Sequence, residues 1–413
     1  MSVSGGAVRD AGPEGGRTGD WSTGRRLVVS LLWAVVLVAV LSRVVSAVAG
    51  WSRGGWDLWI VHLAGRDFLH GAPVYDDPYF LYAPSSALLA APFGVLGQHT
   101  VLVLGTIGVA CTLTWLCLGS VRLLAGDASP WLAPAALLVL LVSRPGSELF
   151  QTLNVEFVAL AALPLLYRWA ADGRWTAFGV LLGLTIAVKP ILLALVLLPL
   201  LARNWRAVAW AVGVPAGLSV VGLLLMPGTF AVVPEMMAQA LGGSAAAAQG
   251  GNMSLAGVFG SFDVSGPLVL LGRAAVVAVG IAAVVVRWRR GGDPVERVVH
   301  TGTLALLTSI LAASLAWDHY LGCLVPLFVV AARSAAAARA AWPVWACTVP
   351  LLTVLLPLPA VPVGPFTYGA RAGLGVLVTF AVLALLALRT APQPRSAAAG
   401  RPADSRGVAA ERH

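Results

Sequence analysis

Asp57 is the first residue whose type and position suggest chemistry. It stands between Trp56 and Trp59, directly after the first long apolar run, and aromatic side chains favour the membrane interface. From Asp57 to Leu69 the apolar positions recur at near-helical spacing, which predicts a helix lying on the outer membrane surface. A carboxylate held at that boundary can act as a general base. A simple N-cap role for Asp57 stays open as the alternative.

Lys189 is the only lysine of the chain and stands before Pro190 in the apolar sequence AVKPILL. A cation inside a membrane segment is costly and is by default a functional hypothesis. The following proline interrupts the helix at this point. A phosphate would be a suitable partner, because lysine binds phosphate as a point charge. The alternative is a lysine that extends along the apolar surface to reach the interface.

Asp318 and His319 form the third candidate, in SLAWDHYLGCLVP between two apolar runs. A histidine can move protons near neutral pH or donate to a phosphate. The alternative is an Asp–His pair that only satisfies itself in a loop.

Two further polar segments are weaker candidates. Asn252 and Ser254, in GGNMSLAGVFG, can form hydrogen bonds with sugar hydroxyls. Gln151 and Asn154, in ELFQTLNVE, lie near the mouth of a predicted span. Ordinary loop polarity and a solvated turn remain the competing interpretations of the two segments.

The composition predicts the elements that must position these residues. Of the 413 residues, 59% are hydrophobic and 11% are charged, whereas soluble chains carry about 25% charged residues. The fold class predicted is all-α, a polytopic membrane protein of about twelve transmembrane helices with a range of ten to thirteen. The predicted spans are 27–49, 99–123, 130–143, 153–170, 176–189, 190–202, 206–226, 266–287, 299–316, 320–333, 342–357 and 371–388. The proline-containing segment 81–97 is predicted to be an interfacial or re-entrant helix.

The polar ends and the basic residues predict a topology. Residues 1–26 and 391–413 are interpreted as disordered cytoplasmic tails that flank one transmembrane domain, 27–390. Most of the 27 basic residues then fall on the cytoplasmic side, as the positive-inside rule requires. The predicted location is a bacterial plasma membrane, crossed many times. The loops 50–80 and 227–262, the turn 144–154, Lys189 and Trp317–His319 would all reach the outer face, which predicts one shared site there.

Several classes of function lack support. The net charge of +9 is spread over short loops and tails, a pattern that fits membrane topology better than nucleic-acid binding. The sequence has no Walker loop, GxGxxG or HExxH motif, so nucleotide-driven transport and soluble-cofactor chemistry are not indicated. The four cysteines lie in apolar runs without a CxxC pair, and no metal is predicted. Adjacent Asp76 and Asp77 are the one alternative, as oxygen ligands of a cation.

Taken in order, these motifs resemble glycosyltransferase family 87, the bacterial polyprenyl-phosphate-mannose-dependent α-1,2-mannosyltransferases. The resemblance runs from about residue 27 to 390. It rests on Asp57 after the first helix, LxGxxxY in FLHGAPVY, YxP at Tyr82 and Pro84, Gln151 and Asn154, KP at Lys189 and Pro190, NxSL at Asn252–Leu255, and WDH at Trp317–His319. Two departures stand out. Tyr320 replaces a second histidine common in the family, and no glycine precedes Gln151.

The resemblance implies a membrane C-type glycosyltransferase fold with an external active site and no cofactor. A hexose, expected to be mannose, would pass with inversion from polyprenyl phosphate to a glycan, glycolipid or lipoglycan. Asp57 would be the base and Lys189 and His319 would stabilise the phosphate, although His319 can also be the base. The expected substrate contacts are Lys189, Asp318, Asn252, Ser254, Gln151, Asn154 and Tyr82. One alternative is transfer of another lipid-linked sugar such as arabinofuranose, or transfer onto protein. Another is a transporter or flippase of lipid-linked sugars, which is disfavoured because the polar residues gather at one surface.

Overall fold

The computed structural model describes residues 23–50, 54–77, 79–126, 130–226, 230–231, 233–234, 251–264, 266–338 and 368–389. Within those ranges the chain forms helices and no strands, as the composition predicts. Residues 1–22, the predicted span 342–357 and the predicted tail 391–413 lie outside the described residues.

Fifteen α-helices can be named within the described ranges. They are α1 (Thr23–Ala49), α2 (Trp56–His70), α3 (Pro84–Gly94), α4 (Gln98–Ser120), α5 (Leu132–Val142), α6 (Arg144–Thr152), α7 (Phe157–Ala171), α8 (Trp175–Val188), α9 (Leu197–Leu201), α10 (Trp205–Leu225), α11 (Leu255–Gly260), α12 (Pro267–Arg289), α13 (Pro294–Ala312), α14 (Val325–Ala338) and α15 (Tyr368–Arg389). Short 3-10 helices cover Val74–Asp76, Pro190–Val196 and Asp318–Leu324, and a π-helical turn, Val121–Ala125, extends α4.

Five of the described helices are long and apolar enough to cross a membrane. These are α1, α4 with its extension, α10, α12 and the Ala370–Leu388 part of α15. α5 and α6 make a sixth if their pair, bent by 66°, counts as one broken span. The chain is therefore a multi-pass membrane protein. The prediction of about twelve spans is not confirmed, because α7, α8 and the segment Pro190–Leu201 are apolar but shorter.

The structure corrects two of the predicted elements. The predicted span 190–202 is a 3-10 helix followed by the short α9, because Pro190 cannot donate the backbone hydrogen bond that would continue α8. The predicted turn 144–154 is largely helical. Its helix α6 begins where the Ser143 hydroxyl accepts a hydrogen bond from the Gly146 N–H (3.3 Å), an N-cap that ends the bend after α5.

Close packing between α2 and α3 fixes the position of the first candidate residue. The buried face of α2 carries Leu58, Ile60, Val61 and Ala64. Gly65 on the same face lies against the backbone of α3 at Ala90, where a Cβ atom would collide with the carbonyl group. Small residues at such points allow two membrane helices to approach closely. The helix predicted after Asp57 is thus present, and it packs on protein along one side.

We expect Gly65→Ala to destabilise the protein by about 1–3 kcal/mol, because the added methyl group overpacks the contact between α2 and α3. Thermal unfolding of the purified variant in detergent measures the change. Gly213→Ala is the matched control, since a Cβ atom at that helical position meets nothing within 4 Å. Equal unfolding temperatures for the two variants would contradict the proposed packing role of Gly65.

Candidate functional site

A large cavity of about 690 Å³ lies where α2, α6, the segment after α8 and the loop after α13 meet. Its volume falls in the range typical of small-molecule sites. Its titratable and amide side chains are those of Asp57, Tyr79, Tyr82, Arg144, Glu148, Asn154, Lys189, Asp318, His319, Tyr320 and Cys323. Six of the residues singled out from the sequence therefore line one cavity: Asp57, Tyr82, Asn154, Lys189, Asp318 and His319.

Asn154 connects the two sides of this cavity. Its Nδ2 donates to Asp57 Oδ2 at 2.6 Å, and its Oδ1 accepts from Lys189 Nζ at 2.7 Å. The same Oδ1 accepts from the Glu156 N–H at 3.1 Å. Because only the NH₂ group can donate and only the oxygen can accept, these three partners fix the orientation of the amide. Among the described residues, Asp57 Oδ1 accepts no hydrogen bond, so it can receive a proton from a bound molecule.

The start of α2 is held in place by its backbone. Gly55 adopts a left-handed conformation (φ 74°), which glycine adopts at little cost. Its N–H donates to the Gln151 carbonyl at the end of α6, at 2.6 Å. This bond ties the segment before Asp57 to the segment before Asn154, so the carboxylate and the amide meet.

Glu156 lies beneath the cavity and is fully buried. Its Oε2 is 3.6 Å from Lys189 Nζ and 3.2 Å from His319 Nε2. A buried carboxylate requires a compensating charge, and Lys189 supplies it. Sequence reasoning missed Glu156 as a site residue. The feature of the sequence that could have identified Glu156 is an acidic residue two positions after Asn154, directly before the apolar helix α7.

Two tyrosines surround the Lys189 ammonium group. The Nζ atom is 5.9 Å from the centre of the Tyr82 ring and 5.0 Å from that of Tyr320, within the range of cation–π attraction. Burial raises the pKa of Tyr82, in the loop before α3, to about 12. Tyr82 therefore stays protonated near neutral pH and can donate a hydrogen bond, but it is not a base.

A second chain of ion pairs holds the Asp318–His319 segment. Arg144 contacts Glu148 Oε1 through Nη2 and Asp318 Oδ2 through Nε, both at 3.2 Å. The other Asp318 oxygen, Oδ1, is 3.8 Å from His319 Nδ1. Asp318 thus links α6 to the histidine. The local sequence pattern assigned no site role to Arg144, and it included Glu148 only as the first residue of the weak ELFQTLNVE segment.

Three other predicted contacts lie elsewhere. Asn252 donates to the Ser314 carbonyl (2.9 Å) and accepts from the Ala316 and Ser254 N–H groups. The Ser254 hydroxyl accepts from Gly257 N–H and caps α11. Both side chains are buried outside the large cavity's lining. They fasten the loop after residue 250 to the segment that precedes Trp317. Gln151 lines a separate cavity of about 290 Å³.

The arrangement offers acid–base and electrostatic chemistry. Asp57 can accept a proton, while Lys189 and His319 can stabilise an anion at the opposite side of Asn154. Among the residues that the structure describes, no group of three or more His, Cys, Asp or Glu side chains is arranged to hold a metal ion.

We expect Asn252→Ala to lower stability by about 3 kcal/mol, since it leaves the buried N–H groups of Ser254 and Ala316 without an acceptor. Thermal unfolding in detergent measures the loss. Gln98→Ala, at an exposed position where α4 begins, is the control and should leave the unfolding temperature almost unchanged. An unchanged temperature for Asn252→Ala would contradict the fastening role.

Known proteins resemble this chain over most of its length. The model of glycosyltransferase family 87 matches residues 80–314. An α-(1→3)-arabinofuranosyltransferase of Mycobacterium tuberculosis strain H37Rv is 29% identical over 355 residues, covering 80% of this chain and 77% of the relative. The enzyme of the same name from Mycolicibacterium smegmatis is 27% identical over 334 residues, covering 76% and 75%. No solved structure matches the chain. Because the family model covers more than half of its residues, the chain belongs to glycosyltransferase family 87.

Proposed function

We propose that this glycosyltransferase moves arabinofuranose from polyprenyl phosphate to an extracytoplasmic glycan acceptor. The curated relatives that match most of the chain are named arabinofuranosyltransferases. Their names favour arabinofuranose, the alternative sugar in the sequence analysis, over mannose, which the family resemblance implied. The same names favour an α-(1→3) linkage in place of an α-1,2 linkage.

The observation that carries the proposal is the bridge from Asp57 through Asn154 to Lys189. It holds a carboxylate and an ammonium group in the lining of one cavity, on either side of an uncharged amide. A displacement at a sugar carbon needs a proton acceptor on one side of that carbon and a positive charge on the other. The attacking hydroxyl loses a proton at one end, and the departing phosphate gains negative charge at the other.

The proposed reaction is a single inverting displacement. The acceptor oxygen forms a bond to the anomeric carbon from the face opposite the phosphate, while the bond from that carbon to the phosphate oxygen breaks. Asp57 Oδ1 takes the proton of the acceptor hydroxyl. The electron pair of the broken bond leaves with polyprenyl phosphate, whose charge Lys189 stabilises.

His319 is assigned to the phosphate end in this scheme. Its Nε2 lies beside Glu156, which also contacts Lys189, so the imidazole and the ammonium group share one buried carboxylate. A histidine there can donate to a phosphate oxygen. Asp57, which keeps an oxygen without a hydrogen-bond partner among the described residues, is the better base.

The assay of the proposed function uses the purified protein in nanodiscs. Radiolabelled polyprenyl-phosphate-arabinofuranose and polyprenyl-phosphate-mannose are incubated separately with short arabinan and mannan acceptors. Label passing from the arabinose donor to an acceptor is the expected result. Transfer from the mannose donor alone would replace the proposed sugar. In sealed proteoliposomes, movement of either donor across the bilayer without transfer would indicate a flippase.

We expect Asp57→Asn to lower kcat by about a hundredfold or more, because the amide cannot take the acceptor proton. Its oxygen can still accept from Asn154, so the fold should persist. Asp67→Asn, on the same helix but outside the cavity lining, is the matched control and should keep full activity. Substantial transfer by Asp57→Asn would remove Asp57 from the role of base.

We expect Lys189→Gln to lower kcat/KM for the lipid donor by roughly tenfold or more, since a charged contact with the phosphate is lost. Lys189→Arg should recover part of that loss by keeping the charge. Arg66→Gln removes a cation that lies outside the cavity and serves as control. Equal donor kinetics for wild type and Lys189→Gln, at comparable unfolding temperatures, would show that Lys189 does not bind the phosphate.

A further inference from the structure

We propose that Trp56 and Tyr79 form a binding platform for a sugar unit of the acceptor. This inference rests on the proposed glycosyl transfer and specifies where its second substrate lies. Both aromatic rings line the large cavity. Trp56 is 58% exposed and Tyr79 is 63% exposed. Their ring centres are 6.0 Å apart, with an interplanar angle of 76°.

The positions of Asp57 and Lys189 place the acceptor on the side of the cavity that Trp56 and Tyr79 border. The phosphate charge belongs with Lys189 on one side of Asn154, while Asp57 lies on the other side. In an inverting displacement the acceptor approaches opposite the phosphate, which is the Asp57 side. Trp56 immediately precedes Asp57 in the sequence, and Tyr79 contacts Trp56. The two rings therefore border the space from which an acceptor hydroxyl reaches Asp57.

The fold keeps both rings at the cavity surface. Trp56 is the first residue of α2 and is largely exposed, whereas Ile60, one turn later on the same helix face, is buried. Tyr79 is followed by Phe80, which is only 1% exposed and packs in a small core with Ile60. The Tyr79 N–H donates to Asp77 Oδ1 at 2.9 Å. Buried neighbours thus fix two large exposed aromatic residues in place.

A sugar is the occupant that fits this platform. Its C–H faces can pack against aromatic rings, which combine large apolar area with a defined orientation. Its hydroxyls can meet the Tyr79 phenol and the Asp57 carboxylate. Holding one sugar ring at a fixed angle would bring a single hydroxyl to the base, and such positioning accelerates bimolecular reactions. We infer that these two residues set which acceptor hydroxyl is used.

The test compares acceptor and donor kinetics for Trp56→Leu and Tyr79→Leu. Leucine keeps an apolar side chain for contact with lipid but removes the flat ring. We expect the acceptor KM to rise roughly tenfold in each variant, with the donor KM unchanged within about twofold. Trp131→Leu is the matched control. Trp131 is 49% exposed but does not line the cavity.

A second measurement separates this inference from the proposed function. Saturation-transfer NMR records binding of a short arabinofuranose oligosaccharide to the protein in nanodiscs without donor. Binding to wild type that is lost in the leucine variants supports the platform, even if no transfer is found and the proposed function fails. Unchanged binding and unchanged acceptor KM in the variants would overturn it. Equal rises in both KM values would also overturn it and indicate a membrane anchor.

Discussion

The burial of one lysine organises the centre of this protein. The Lys189 side chain is 12% exposed, and a cation in that position needs partners. It finds them in the Asn154 amide oxygen, the Glu156 carboxylate and the rings of Tyr82 and Tyr320. Asn154 and Glu156 come from one segment and the two tyrosines from two others, so satisfying this charge brings three segments of the chain together. The same bonds position Asp57, because the amide that accepts from Lys189 donates to that carboxylate.

Interrupted helices make these contacts accessible. α8 ends at Val188 because Pro190 follows, α5 bends into α6 at Ser143, and a 3-10 helix begins at Asp318. Irregular backbone in a membrane protein is tolerated where it is buried or lines a cavity. All three interruptions border the large cavity. Of the short apolar segments that left the span count unconfirmed, Pro190–Leu201 contributes directly to the cavity lining.

The sequence predicted the helical membrane architecture and most of the chemistry of the site. Six predicted residues line the cavity, since membrane-embedded polar residues are rare enough to stand out individually. The local sequence pattern predicted substrate contacts by Asn252 and Ser254, whose hydrogen bonds hold backbone outside the cavity's lining. It also missed Glu156 and Arg144, because their importance lies in partners distant along the chain. The family model matches residues 80–314, whereas Asp57 and His319 lie outside that range and join the site through contacts.

Sequence alone determined that this chain is helical, enters the membrane several times and carries an acid, a lysine and an Asp–His pair at isolated polar positions. Those conclusions follow from composition and local spacing, which are properties of the unfolded chain as much as the folded one. Tertiary structure decided that Asn154 separates a carboxylate from a cation, and that Lys189 and His319 share the Glu156 carboxylate. It also placed Trp56 beside Tyr79. Such relations depend on distances across helices, and hydrogen bonds and ion pairs act only over a few ångströms.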